Sequence, residues 1–441
     1  MPPAAVTAPP TRRSFSASTA AAVGIAAAAM VATLPGRTHG LGLVTEPLLA
    51  DLGLERVSFA ALNFWATLVG SAFCLPVGWV IDRLGVRVVL AAVLFSLGLV
   101  VVGMTGVTTG SYGFRLPTPE VFFIGGVESA AVPLDLFLLV LLSRGLGQSA
   151  LSVVSLALVG KAAGDRPGVV IGVYSFLVAV GFMASFAVVK AAFEQLHADW
   201  RTVWVGIGWV LIGFGVLAFL FVREWEPATA GPVNADSVKT HSLTLGVALR
   251  TPGFWVFGLA TSFYGMVAAG MSLFNQSLLA ERGFDRGVFL TITTVTPLIG
   301  LAANLLAGWL ATRIRLGVLL AAGLLIQTVA LAVFPSVSSL PQVYAYAAAM
   351  GVAGGVLTVV FFTVWRQAFG PAHLGQIQGA AQLLTVLASA AGPLVLAAGQ
   401  RASGSYAPVV QNLALVGAAF ALAALIVPLP TTDSARKEDP A

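Results

Sequence analysis

Gly78-Trp79-Val80-Ile81-Asp82-Arg83-Leu84-Gly85-Val86-Arg87 is the stretch on which the fold turns. It is a short polar hinge between two apolar runs, and it recurs 230 residues later as Gly308-Trp309-Leu310-Ala311-Thr312-Arg313. The register continues without a gap: Val88, Leu90, Ala91, Ala92 and Leu94 stand opposite Val318, Leu320, Ala321, Ala322 and Leu324. Eight of the seventeen positions from 78 to 94 are identical in the second copy. Ala, Leu and Val coincide by chance in apolar sequence, whereas Gly, Trp and Arg rarely do. A hinge repeated at one fixed offset implies two halves built on one plan, the arrangement of alternating-access transporters.

Outward from the hinge, the chain divides into apolar stretches of about 20 residues, the length needed to cross a bilayer. Twelve can be marked, at 18–48, 59–81, 87–108, 133–159, 168–192, 202–222, 254–280, 287–311, 316–334, 341–364, 375–399 and 407–428. The first is interrupted by Pro35-Gly36-Arg37-Thr38-His39-Gly40. The expectation is an all-α membrane protein of twelve transmembrane helices in two pseudo-symmetric six-helix halves. The domains read as a tail 1–17, an N-terminal half 18–222, a linker 223–250, a C-terminal half 251–428 and a tail 429–441. Residues 109–132, with Glu120 and Glu128, read as a longer loop carrying a short surface helix.

Composition agrees. Of 441 residues, 58% are hydrophobic and 9% charged, against about 25% charged in soluble domains. That excludes most soluble enzymes and nucleic-acid-binding domains. The net charge of +5 belongs to topology, because its basic residues form no run. With the N-terminus inside, fourteen basic residues fall on the cytoplasmic side, seven on the other, and Arg37 and Arg144 within spans. The bias puts both termini in the cytoplasm of a multi-pass protein of the plasma or inner membrane. Thr11-Arg12-Arg13-Ser14-Phe15 resembles a twin-arginine export signal, but the helix behind it is too long for a removable core. One cysteine, Cys74, excludes an internal disulfide framework. No GxxxxGK[ST] loop, HExxH or nucleophile elbow occurs, so the reading is not an enzyme, with no cofactor and no metal.

The quoted hinge resembles the cytoplasmic signature of the major facilitator superfamily between helices two and three: Gly, three residues, Asp-Arg, one residue, Gly, then basic residues. Arg87 keeps the second basic position and Val86 replaces the first. The resemblance covers the whole twelve-span plan. It implies a gate of Gly78, Asp82, Arg83, Gly85 and Arg87, with Arg313 in the second copy, where Thr312 replaces the acid. Asp82 would pair with a neighbouring arginine or a helix N-terminus and latch the halves in one conformation. Pro35 to Leu41 and Phe369 to Gly375 are similar to the branch holding monocarboxylate and oxalate/formate-type carriers. Spans 287–311 and 375–399 lack the basic residues that the oxalate-type carriers use. Span five also lacks the Gly-Pro motif seen in many drug/proton antiporters of the superfamily.

Arg37-Thr38-His39 is the leading candidate site. Arg37 offers a planar fork matched to a carboxylate, and His39 can titrate near neutral pH and carry a proton. Glu46, two turns on, is a candidate partner for His39. The competing reading ends the first span near Leu34 and leaves Arg37 and His39 at the interface. Arg144, within a span, costs at least ~2.5–3.5 kcal/mol there and resembles the superfamily's helix-four arginine motif. It reads either as a buried coupling residue or as a substrate ligand. Tyr174, Asn275, Gln276 and Gln382 are polar marks on spans five, seven and eleven. Helix-to-helix glue is the competing reading for each, although helix seven lines the cavity in the superfamily. Span eight carries Thr291, Thr293, Thr294, Thr296 and Asn304, with Pro297 between them; they either mark a gated, kinked helix or are hydroxyls that satisfy their own backbone. The expected protein is a monomeric secondary transporter of a small, anionic, monocarboxylate-like solute, coupled to a proton, with the bilayer and the solute as partners and no nucleic acid. An exporter of hydrophobic compounds is the alternative within transport, and a membrane-embedded enzyme or receptor is the alternative from another class.

Overall fold

A chain in lipid must satisfy its backbone hydrogen bonds internally, and the apolar runs fold as helices throughout. A computed structural model describes residues 17–108, 113–116, 130–162, 167–222, 243–370 and 374–429. The first run comprises α1 (Ala17–Val31), a 3₁₀ turn at Leu34–Gly36, α2 (Thr38–Gly42) and then α3 (Thr45–Leu52). Next come α4 (Arg56–Ser71) and α5 (Cys74–Met104), followed by the antiparallel strands β1 (Gly113–Leu116) and β2 (Ala130–Pro133). The fourth run is α6 (Leu134–Ser143), a π-helical stretch Arg144–Leu151 and α7 (Ser152–Ala162). The fifth and sixth are α8 (Pro167–Glu194) and α9 (Trp200–Phe221). A short α10 (Leu245–Ala248) precedes α11 (Pro252–Glu281), α12 (Arg286–Leu310), α13 (Leu316–Val333), α14 (Leu340–Phe369), α15 (Leu374–Ser403) and α16 (Ala407–Ile426).

Among the described residues, eleven helices are long and apolar enough to cross a membrane. The twelfth crossing is the expected span 59–81, and it is not one long helix. The amide of Ala72 bonds the Val69 carbonyl (3.1 Å) and that of Phe73 the Gly70 carbonyl (3.2 Å), so a 3₁₀ turn joins α4 to the start of α5. The hinge follows at Gly85, with φ 80° and ψ 162°, a backbone conformation reserved for glycine. It separates the second crossing from the third inside α5. In the second copy, α12 stops at Leu310 and α13 starts at Leu316, so the hinge is a true turn there.

The loop expected to carry a surface helix instead begins and ends as the β1–β2 pair. Its centre, with Glu120 and Glu128, lies outside the described residues. So do most of the expected tails and linker, and the side chains of Gly78 and Asp82.

The repeat reappears in the packing. α5 lies on α9 as α13 lies on α16, α4 on α6 as α12 on α14, and α1 on α8 as α11 on α15. Contacts between halves run through α4 with α15, α8 with α12, and α2 with α11. The face opposite the start of α1, the distal face, is laced by charge. Arg56 grips Glu46 (2.6 Å), Arg201 grips Asp51 (2.8 Å), and Glu281 accepts from Ser405 (2.6 Å) and the Tyr406 amide (2.9 Å).

The tightest crossing near the break in the first run joins Gly36 to Gly147 of the π-helical stretch: a Cβ on Gly36 would lie 2.8 Å from the Gly147 Cα. Gly36→Val is expected to lower the unfolding temperature of the purified protein by the equivalent of about 1–3 kcal/mol of overpacking. Gly24→Ala, at a site with no atom within 4 Å, should leave it unchanged.

Candidate functional site

Pro35 breaks the first run because it has no N–H and its ring obstructs the preceding turn. The break frees two carbonyls, and the fourth run supplies both donors. Ser143 donates to the Pro35 carbonyl (3.1 Å) and Arg144 to the Gly36 carbonyl (3.0 Å). Arg144, 1% exposed, also donates to Thr38 and Gln148 (both 3.1 Å) and, in a short contact, to the side-chain oxygen of Asn63 on α4. One guanidinium thus fastens three crossings around the break, which its five fixed donors permit.

Arg37, immediately after the break, turns back into the bundle. Its Nε donates to Thr33 (2.6 Å), and Nη2 approaches the Met30 sulfur (2.9 Å) and the Ser152 hydroxyl (3.1 Å). Its guanidinium carbon lies 5.7 Å from the ring centre of Phe182 on α8, within cation–π range. The His39 ring sits edge-on to Phe182 (5.3 Å) and Phe186 (5.7 Å). Arg37, His39, Phe182 and Phe186 therefore form one cluster, with Arg144 bound to Thr38 beside it. Among the described residues, neither Arg37 nor Arg144 takes part in an ion pair. The cluster is cationic and holds no acid.

Glu46 departs from expectation. It is committed to Arg56 in a two-pronged pair, with Nε to Oε1 at 3.1 Å and Nη2 to Oε2 at 2.6 Å. A side chain on the first turn of α3 reaches the neighbouring helix start more readily than it reaches back to α2, so it is not the partner of His39. Its hydrogen bond to Arg56 raises that guanidinium above its ordinary range. Tyr174 bridges crossings rather than standing free: its hydroxyl lies 2.9 Å from Ser155, which donates to the Ala26 carbonyl (2.6 Å). Asn275 and Gln276 follow a kink at Phe274 (φ −111°, ψ 16°), and each keeps a buried side-chain oxygen without a protein partner. Gln382 is exposed on α15. The hydroxyls of Thr291, Thr294 and Thr296 bond carbonyls four residues back, as the backbone-satisfying reading has it.

The hinge motif does not tie the halves together through Arg87. That side chain donates to the Phe219 carbonyl (2.6 Å) and lies over the Phe219 ring (5.1 Å), within its own half. Arg83 is exposed, and Arg313 lies over Trp309 (4.2 Å). Among the described residues, several polar contacts cross between halves at the distal face. Lys190 donates to Thr291 (2.7 Å), Arg401 pairs with Glu55 (3.4 Å), and Arg286 stacks on Phe193 (3.8 Å) while reaching the Leu43 carbonyl (3.4 Å).

Sequence reasoning missed Asn63, Ser152, Phe182 and Phe186. Asn63 was legible as a lone amide in an apolar run. The two phenylalanines, one turn apart on α8, look like ordinary lipid-facing residues until the fold brings His39 to them.

A profile of the Major Facilitator Superfamily matches residues 21–393. No curated protein is detectably similar in sequence. Among solved structures, a bacterial homologue of the human lysosomal transporter Spinster, inward-facing and occupied, superposes with a TM-score of 0.69 at 15% identity, over 93% of this chain and 97% of that one. The nucleoside transporter NupG gives 0.68 at 14% identity, covering 93% and 98%. A D-xylose-proton symporter gives 0.66 at 16%, covering 96% and 99%.

Removing the Arg144 charge would relieve its burial cost, roughly 3 kcal/mol. It would also abandon hydrogen bonds worth about 1.5–3 kcal/mol each, and with four acceptors the second term wins. Arg144→Met is expected to lower the unfolding temperature clearly. Arg144→Lys should fall between, because an ammonium cannot fork to Asn63 and Gly36 together.

Proposed function

Since the chain belongs to the Major Facilitator Superfamily and is a transporter rather than an enzyme, we propose that it carries a small organic anion, monocarboxylate-like, by alternating access. The observation that carries this reading is the acid-free cluster of Arg37, Arg144 and His39 at membrane depth. Among the described residues, the two guanidiniums there have no carboxylate partner. Buried charge is tolerated when paired, and an anionic solute would supply the missing partner. Arg144 has its terminal nitrogens engaged by protein acceptors, so it positions the broken helix. Arg37, whose Nη1 has no acceptor assigned to it, is the ligand for the carboxylate. Phe182 and Phe186 offer apolar surface for the remainder of the solute.

The proposed cycle rocks residues 18–222 against 251–428. The bonds of Lys190, Arg286 and Arg401 across the distal face hold it closed, and opening that face breaks them. With the N-terminal face cytoplasmic, as the distribution of basic residues favours, the distal face is the external one. His39 is the proposed proton carrier. An anion bound beside the imidazole and a proton taken up on it each lower the cost of the other's charge, so their binding is mutually reinforcing.

Uptake of radiolabelled monocarboxylates into proteoliposomes tests the anion site. Arg37→Ala should reduce uptake at least tenfold and Arg37→Lys partly restore it; undiminished uptake by Arg37→Ala would sink the assignment. Wild-type uptake should depend on pH and flatten in His39→Gln. A wild-type profile indifferent to pH would instead point to a uniporter or exchanger.

A further inference from the structure

The second copy of the hinge has lost its acid and carries its second arginine, Arg315, opposite Gly85 rather than opposite Arg87. Where the first copy reads Asp82-Arg83, the second reads Thr312-Arg313-Ile314-Arg315. The Thr312 hydroxyl is turned back onto the Trp309 carbonyl (2.8 Å). Arg313 lies over the Trp309 ring at 4.2 Å. Arg315, exposed, stands on the rim of a groove of about 470 Å³ between α13 and the end of α16. Phe257, Leu316, Val318, Ala424 and Leu425 line the groove with apolar surface, Gln367 adds an amide, and among the described residues no carboxylate lines it. Its floor is a close crossing: a Cβ on Gly317 would lie 2.6 Å from the Ala424 carbonyl oxygen.

The groove opens away from the centre of the molecule. Neither α13 nor α16 is among the helix pairs that join the halves most extensively. Of the residues lining it, Val318 is 43% exposed and Leu425 49%; Ile426, next along α16, is 68% exposed, and Trp309, on the last turn of α12, is 51% exposed. Apolar residues on the outside of a membrane protein face hydrocarbon, and Trp and Arg at the end of such a belt mark the headgroup level. The groove thus joins an apolar wall at acyl-chain depth to the Arg315 guanidinium on its rim, with Arg313 two residues before it in the same turn, and neither pairs with an acid among the described residues.

We propose that this groove binds an anionic phospholipid, its phosphate held by Arg313 and Arg315 and the upper part of an acyl chain laid along α13 and α16. A guanidinium matches phosphate geometry with two parallel hydrogen bonds. A free inorganic anion would gain nothing from the apolar wall, and a zwitterionic lipid would bring its own ammonium against the two arginines. The occupant favoured by both features is a lipid with net negative charge.

Thermal unfolding of the purified full-length protein tests this, with native mass spectrometry to record retained lipid. Phosphatidylglycerol should raise the unfolding temperature more than phosphatidylcholine and be retained preferentially. Arg313→Gln/Arg315→Gln should keep the unfolding temperature seen in phosphatidylcholine yet lose the extra rise, with apparent affinity falling roughly thirtyfold. Arg250→Gln, an exposed basic residue outside the groove, should keep the rise. The proposal is overturned if the double variant retains the phosphatidylglycerol effect, or if the two lipids act alike on the wild type. It is equally overturned if inorganic phosphate alone reproduces the rise, or if Arg250→Gln abolishes it as well.

Discussion

The bond from Arg144 to the Gly36 carbonyl answers the constraint that most limits this molecule. A helix broken at membrane depth exposes carbonyls that lipid cannot satisfy, and such irregular backbone survives only where protein re-satisfies it. Pro35 breaks the first run, and Ser143 and Arg144 repair it from a neighbouring crossing. The same guanidinium reaches α4 through Asn63. Gly36 and Gly147 allow the two backbones to approach closely enough for this to happen. The candidate site follows from the repair: once the broken segment is held, Arg37 and His39 are turned toward Phe182 and Phe186 rather than left at the membrane surface.

Charge in this chain is divided by depth. At the distal face, acids and bases meet in pairs: Glu46 with Arg56, Asp51 with Arg201, Glu55 with Arg401. Within the bundle, Arg37 and Arg144 pair with no acid among the described residues. Of the distal pairs, Glu55 with Arg401 crosses between the halves; a surface pair costs little to make or break, typically within 1 kcal/mol, which suits a contact that opens when the halves move. Unpaired buried cations are expensive and suit a site completed by a ligand.

Most of the architecture was legible because transmembrane helices announce themselves by length and polarity. The repeated Gly-Trp and Arg at an offset of 230 revealed two halves before any packing was known. The second crossing escaped that reading as a single helix, because the 3₁₀ turn at Ala72-Phe73 leaves no trace in hydropathy. Arg37, His39 and Arg144 stood out as polar exceptions in apolar runs. Glu46 was misassigned because helical periodicity measures alignment along one helix, whereas the chain turns at Leu43-Val44 and begins α3.

By itself the sequence determined that this is a helical membrane protein of two related halves and which of its charges are out of place, since bilayer thickness and the cost of burying charge act locally along the chain. Only the tertiary structure decided which partner each of those charges takes, because Asn63, Ser152, Phe182 and Glu46 are distributed over separate helices whose neighbours are set by packing. It likewise decided that Lys190, Arg286 and Arg401 reach across between the halves at the distal face, and that the hinge arginine Arg87 serves its own half.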